Sequence, residues 1–197
     1  GTGAVQDINQ QQLIAPLAEY SSLVTDSHSF PELLNIAMKT ALGKGGVAHL
    51  SVPKDIWTLP VTGGFYPPPP ARSFQQPQSR DIQRVSNLID KAQRPIILAG
   101  RGVQYAQQQV IQFAEKLQAP MMATMPAKPF IPNDHPLFIG GLGQAGTEIS
   151  RVLLNKSDLC VILGATWWPK DYVPRSIPMI QIDAEPENIG RNQPVKD

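Results

Sequence analysis

The chain has 197 residues, of which 42% are apolar, and 17 Lys and Arg against 16 Asp and Glu leave a net charge of +1. That length holds one domain, or one and part of another, and its scattered basic residues exclude a nucleic-acid patch. No apolar run approaches the roughly 18 residues of a membrane span, and the N-terminus lacks the basic-then-apolar layout of a signal peptide. The chain begins with Gly1 on residues that read as mid-domain, so it is expected to be part of a longer polypeptide. The single cysteine, Cys160, lies in an apolar strand pattern and reads as a buried structural thiol of a reducing, cytoplasmic setting.

In chain order, Gln10 to Ala18 predicts a short helix or turn, and Tyr20 to Val24 a strand. Ser29-Phe-Pro-Glu32 has the spacing of a capping box with proline in the first turn. The helix it opens places Leu34, Ala37, Met38 and Ala41 on one face and ends at Gly43 to Gly46. Val47 to Val52 then reads as a strand. Two strands in about 60 residues make half a domain, too little to bury the surface that independent stability requires. Residues 63–80 read as a linker between 1–62 and 81–197, because Pro67-Pro68-Pro69-Pro70 favours polyproline II and cannot join a sheet.

After the linker the alternation is fuller. Ile82, Val85, Leu88, Ile89 and Ala92 form the apolar face of a helix, and 95–99 is a buried strand ending in Gly100-Arg101-Gly102. A second helix carries Ala106, Val110, Phe113, Ala114 and Leu117 inward, followed by a strand at Pro120 to Ala123 and a turn-rich stretch to Pro136. Gly141, Gly143 and Gly146 then spell G-x-G-x-x-G, with Thr147 as the expected N-cap of a helix through Ile149, Val152 and Leu153. Strands follow at 159–163 and 178–182. This pattern predicts an α/β fold, a Rossmann-like parallel sheet flanked by helices, joined to a partial α/β domain.

The glycine triplet suggests a phosphate-approach loop at a helix N-terminus. A nicotinamide fingerprint also needs an acid about 20 residues on, at the end of the next strand. That strand ends in Gly164-Ala165-Thr166-Trp167, and the acid, Asp183, ends the strand after it. By itself the motif suits a tight strand-to-helix turn equally well. Ligands of open parallel sheets bind beyond the carboxyl ends of the strands, and four of those ends are suggestive: Gly100-Arg101-Gly102, Thr124-Met125, Gly164-Ala165-Thr166 and Asp183-Ala184. His28, His49 and His135 have no metal-ligand spacing, so no metal site is expected, and Trp167 and Trp168 suit packing or a subunit contact better than ring stacking.

Six segments occur in a telling order: Gly100–Gly102, Ala119–Thr124, Asn133–Leu137, Gly141–Gly146, Ser157–Gly164 and Gln181–Gly190. Together they resemble the central domain of thiamine-diphosphate-dependent enzymes of the pyruvate oxidase and acetolactate synthase type. Residues 1–60 resemble the end of that family's pyrimidine-binding domain, through Val5-Gln6-Asp7 and Val47 to Asp55. Pyruvate oxidase looks nearest, through Gly164–Pro169 and Pro186–Asp197. The resemblance implies a parent enzyme acting on a 2-keto acid such as pyruvate with thiamine diphosphate and Mg²⁺. It implies FAD in this central domain and assembly as a homodimer or homotetramer, with no role for nucleic acid or membrane.

By motif position, the resemblance implies that Gly100, Arg101 and Gly102 follow the adenosine and pyrophosphate of the flavin, and that Thr124 and Met125 reach the flavin side. Leu142, Gly143 and Gln144 would pass close to the cofactor, while Gly164, Ala165 and Thr166 shape the ribityl and phosphate channel. Asp183, Ala184 and Asn188 would receive the adenosine hydroxyls or base. Gln6 carries the one catalytic claim, near substrate in the whole enzyme. Two departures stand out: Ala127-Lys128-Pro129 replaces the family's Gly-Lys-Gly, and Val5 replaces an aromatic. The activating glutamate and the Mg²⁺/diphosphate motif fall outside these segments, so the chain alone is not expected to perform thiamine chemistry. The alternatives are a flavin-free scaffold or ADP-binding central domain, and acetolactate synthase as the activity. A free-standing NAD-dependent dehydrogenase is the least supported.

Overall fold

The computed structural model describes residues 8–61, 64–67, 76–144, 146–174 and 176–196. The chain divides into two compact units, Gly1–Phe74 and Gln75–Asp197. The division falls inside the stretch 63–80, whose last two residues, Ser79 and Arg80, are already helical. Most of the proline run and its sequel, 68–75, lies outside the described residues.

The first unit contains α1 (Gln10–Ile14), β1 (Tyr20–Leu23), α2 (Phe30–Lys44) and β2 (Ala48–Ser51). The strands pair in parallel from Tyr20 beside Ala48 to Leu23 beside Ser51, with α2 as the crossover between them. The helix forms where its apolar spacing predicts, but the capping box does not. Ser29 has helical backbone angles and makes no side-chain cap. An N-cap needs an extended backbone to turn its hydroxyl toward the helix's free amides. Asp26 organises the entry instead, its Oδ1 accepting from the amides of His28 (2.9 Å) and Ser29 (3.0 Å) while Ser29 Oγ donates to the Asp26 carbonyl. The amide and hydroxyl of Ser29 hold the Asp26 carboxyl below its ordinary range. Val24, Pro31 and Ala37 are buried, whereas Leu17 and Trp57 are 72% and 73% exposed.

The second unit runs α3 (Ser79–Lys91), β3 (Pro95–Ala99), α4 (Gln107–Leu117), β4 (Met121–Ala123), β5 (Phe138–Gly141), α5 (Glu148–Lys156), β6 (Leu159–Leu163) and β7 (Met179–Ile182). Its five strands form one all-parallel sheet in the order β5-β4-β3-β6-β7. Successive strand residues point to opposite faces, and both faces are covered. Ile97, Ala99, Met121, Ala123, Val161 and Ile180 pack with α3 and α4 on one side. Ile96, Leu98, Met122, Cys160, Ile162 and Met179 pack with Leu154 of α5 and with Trp168 on the other. Burying each large apolar side chain contributes about 1.5–3 kcal/mol, and this two-sided burial is why the strands read as near-continuous apolar runs.

Cys160 is buried in the second cluster, and desolvation pushes its thiol up to about 12, which fits a structural rather than a nucleophilic role. Trp168 is fully buried and donates its indole N–H to Gln193 Oε1 at 3.3 Å, whereas Trp167 is 67% exposed. At the other end of the sheet, Asp158 accepts from the amides of Gln93 (2.8 Å) and Arg94 (2.9 Å), tying the entry of β3 to that of β6. Desolvation pushes the Asp158 carboxyl up, but the Arg94 and Gln93 amides and the Arg94 charge outweigh it and hold the group below its ordinary range.

Candidate functional site

From β3 the chain winds one way through β4 and β5, then returns to lay β6 and β7 on the other side. The reversal lies between β3 and β6, and in doubly wound sheets the crevice beyond such a pair is where ligands bind. The strand ends finish level, since Ala99 is beside Ala123 and Leu163, Ala123 beside Gly141, and Leu163 beside Ile182. The four segments singled out from the sequence, and the glycine loop with them, therefore share one edge of the sheet.

Beyond each strand the ladder continues by one residue: Gly100 N donates to Leu163 O (2.8 Å), Gly164 N to Ile182 O (2.9 Å) and Thr124 N to Ala99 O (2.9 Å). At the reversal the two ends are clamped backbone to backbone. Gly102 N donates to Gly164 O at 3.0 Å, a Cβ on Gly102 would sit 2.8 Å from Gly164 Cα, and one on Gly100 would overlap the Gly164 carbonyl. Gly164 itself has φ +59°. These glycines are thus required by the closure of β3 on β6, whatever lies above them. Between Gly100 and Gly102 stands Arg101, exposed and without a hydrogen-bond or ion-pair partner among the described residues.

Around this clamp the other candidate residues divide by exposure. Thr124 is buried and Met125 exposed after β4, while Ala165 is buried and Thr166 exposed after β6. Leu142 belongs to the core, Gln144 is exposed, and Gly143 turns at φ +110° against Pro169. Gly146 folds back on the start of its own loop. Its amide donates to Gly143 O at 2.9 Å, and a Cβ there would overlap the Gly141 carbonyl. Thr147 starts the helix in extended backbone, but its hydroxyl donates to Ile139 O at 2.6 Å rather than capping α5. A cleft of about 230 Å³ opens beside the loop, lined among others by Gly143, Gln144, Glu148, Arg151 and Tyr172.

After β7, Asp183 Oδ1 accepts from Glu185 N and Asn188 Nδ2, each at 3.0 Å, so Asp183 and Asn188 first of all hold their own turn together. Asp183 Oδ2 has no partner among the described residues, and Ala184 is exposed. Sequence reasoning did not single out Gln181. It is buried in β7, its Nε2 donating to Ala165 O (3.1 Å) and Asn188 O (3.0 Å) while its Oε1 accepts from Gly190 N (2.9 Å). One side chain thereby spaces the ends of β6 and β7. The signal was a lone amide within the apolar run Met179-Ile-Gln-Ile182.

Gln6 lies outside the described residues. His49 bonds Ser21 Oγ at 3.0 Å, and His135 Nε2 faces Glu115 at 3.3 Å while its Nδ1 accepts from Leu137 N. Among the described residues no three His, Cys, Asp or Glu side chains form a group able to hold a metal ion. None of their helices is long and apolar enough to cross a membrane.

Comparison with known proteins agrees with this geometry. Residues 82–196 match the family model described as thiamine pyrophosphate enzyme, central domain. A Bacillus subtilis protein assigned as thiamine pyrophosphate-containing, YdaP, is 35% identical over 197 residues, covering 99% of this chain and 34% of its own length. Sulfoacetaldehyde acetyltransferase of Rhodobacter capsulatus is 28% identical over 99% of this chain and 35% of its own. The large subunit of acetolactate synthase isozyme 1 of Escherichia coli is 29% identical over 84% of this chain and 30% of its own. A solved structure from Mycobacterium smegmatis, assigned as a thiamin diphosphate-dependent enzyme, superposes with a TM-score of 0.62 at 28% identity, over 91% of this chain and 36% of that one. The chain spans about a third of the length of these curated relatives. It belongs to the thiamine pyrophosphate enzyme family, and residues 82–196 are its central domain.

Proposed function

We propose that this member of the thiamine pyrophosphate enzyme family is the middle of an enzyme acting on a 2-keto acid such as pyruvate, and that its central domain binds FAD along the carboxyl edge of the sheet. The observation that carries the cofactor assignment is the level row of strand ends around a guanidinium that has no partner among the described residues. Arg101 stands at the chain reversal, where forked donors match the oxygens of a diphosphate. Two strands away, Asp183 Oδ2, without a partner among the described residues, is placed to accept from a ribose hydroxyl, and Gln181 spaces the intervening loops. This donor set fits a dinucleotide lying across the switch point, with Gly100, Gly102, Gly164, Ala165 and Thr166 as its floor. Thr124, Met125, Leu142, Gly143 and Gln144 lie toward its flavin end, and Ala184 and Asn188 toward its adenosine end. FAD would supply electron acceptance in an oxidase or a structural wedge in a synthase. Residues 1–62 are assigned to the end of the pyrimidine-binding domain, with Gln6 near substrate. Thiamine diphosphate and Mg²⁺ belong to the whole enzyme, a cytoplasmic homodimer or homotetramer.

Two of the relatives named above favour a second reading of the activity, acetolactate synthase or another acetyl transfer in place of pyruvate oxidation. For the cofactor, Pro129 stiffens the segment Met125–Phe130 after β4 and favours ADP or no nucleotide as the alternative to FAD. The full-length protein is purified and its visible spectrum recorded. A flavin band, or thermal stabilisation on adding FAD, is expected. No band, with stabilisation by ADP but not by FAD, overturns the flavin reading in favour of the adenine-nucleotide one.

A further inference from the structure

We propose that Glu148 keeps phosphate out of the cleft beside the glycine loop, and that this cleft receives an uncharged, hydroxyl-bearing group. The loop has the sequence of a phosphate cradle, but three of its backbone donors are turned to its own closure. Such a cradle works through backbone N–H groups aimed at the anion. Here the amides of Leu142, Gly146 and Thr147 are already spent, on the carbonyls of Ala123 (3.0 Å), Gly143 (2.9 Å) and Gly141 (3.1 Å). The glycines serve that closure, as the overlap between a Cβ on Gly146 and the Gly141 carbonyl shows. The positive end of α5 is also taken, because Glu148 puts a carboxylate in its first turn.

Arg151 is the cation among the described residues of the lining, and it is committed. Its Nε (3.2 Å) and Nη2 (2.7 Å) both rest on Glu148 Oε1. A phosphate entering the cleft would have to take the guanidinium from that carboxylate and then lie beside it as a like charge. The side-chain groups of the lining left open are the Gln144 amide, the Tyr172 hydroxyl and Glu148 Oε2, none with a hydrogen-bond partner among the described residues. They accept from and donate to hydroxyls. The identity of the ligand, a polyol portion of the cofactor, rests on the reading above, whereas the exclusion of phosphate does not.

Arginine modification by phenylglyoxal, mapped by peptide mass spectrometry on the full-length protein, separates these statements. Pyrophosphate should protect Arg151 in Glu148→Gln and Glu148→Ala at a concentration about three- to tenfold lower than in the wild type, from the like charge and the helix terminus together. Riboflavin, which carries a ribityl chain and no phosphate, should protect Arg151 in the wild type. Equal protection of Arg151 by pyrophosphate in wild type and both variants overturns the proposal. So does a riboflavin-indifferent Arg151 in a protein whose Arg101 is protected by ADP. Failure of ADP at Arg101 counts against the cofactor reading instead, and is read from the same digest.

Discussion

Both units are built from strand, helix and parallel strand, yet they bury apolar side chains very differently. In the second, five strands put one row of residues under α3 and α4 and the other under α5 and Trp168, and the residues that read as apolar runs are buried. In the first, α2 covers a two-stranded sheet, with Leu34 and Met38 half-buried and Ile36, Leu42 and Val47 exposed. The difference teaches that local pattern sets an element's type, while the number of strands decides whether its apolar face finds cover.

The largest contrast is expected from core truncation. Leu98→Ala and Ile162→Ala, at fully buried positions, should each cost about 2–5 kcal/mol, whereas Ile36→Ala in the exposed face of α2 should stay within about 0.5 kcal/mol. Denaturant midpoints at unchanged slope measure both, and a comparable loss at Ile36 would mean that the first unit buries that face.

Glycine substitution should split by sign. Gly100→Ala forces a Cβ into the Gly164 carbonyl and should cost about 1–3 kcal/mol. Gly43→Ala, in α2 with nothing within 4 Å of its Cβ, should instead stabilise by about 0.5–1 kcal/mol. A neutral Gly100→Ala would show that β3 and β6 do not close so tightly.

Gln181→Leu removes the partners of two carbonyls and an amide at the strand ends and should cost about 1–3 kcal/mol. It should also weaken nucleotide binding, seen as a smaller ligand-induced rise in Tm. Unchanged ligand stabilisation would leave Gln181 a structural residue only.

The smallest effect concerns acid. Asp158 in the second unit and Asp26 in the first both have folded-state pKa values below their unfolded ones. Each contributes stability that is present above the unfolded carboxylate pKa and is lost as pH falls through the lowered one. Asp158→Asn should flatten the acid limb of the second unit's stability profile, and Asp26→Asn that of the first. Cys160 reports the second unit alone, because its buried thiol should react with alkylating reagents only when the sheet opens. Identical acid limbs in wild type and variants would remove this contribution.

Much of the second unit was legible because a doubly covered parallel sheet writes itself as apolar runs separated by helical periods. Four of its five strands stand where strand runs were read, and the fifth, β5, runs through Gly140 and Gly141 into what reads in the sequence as the glycine loop. The family was legible in the order of segments at the strand ends, though no single one sufficed. Less legible was what each glycine does. G-x-G-x-x-G reads alike whether its amides face a phosphate or close on themselves, since Gly146 meets Gly141 only in three dimensions. Likewise Ser29 had the capping spacing, but its backbone angles gave the role to Asp26.

Alternation and composition, then, determined by themselves the α/β class, the apolar faces and the set of strand ends, because hydrophobic periodicity is a local property of the chain. Which ends meet was decided only by tertiary structure. Strand order places Gly100 against Gly164 and aligns Asp183 with them, and side-chain direction commits Arg151 to Glu148 while giving Arg101 no partner among the described residues. Hydrogen bonds and charges act over a few ångströms, so their pairing depends on which segments the fold brings together rather than on their spacing in the chain.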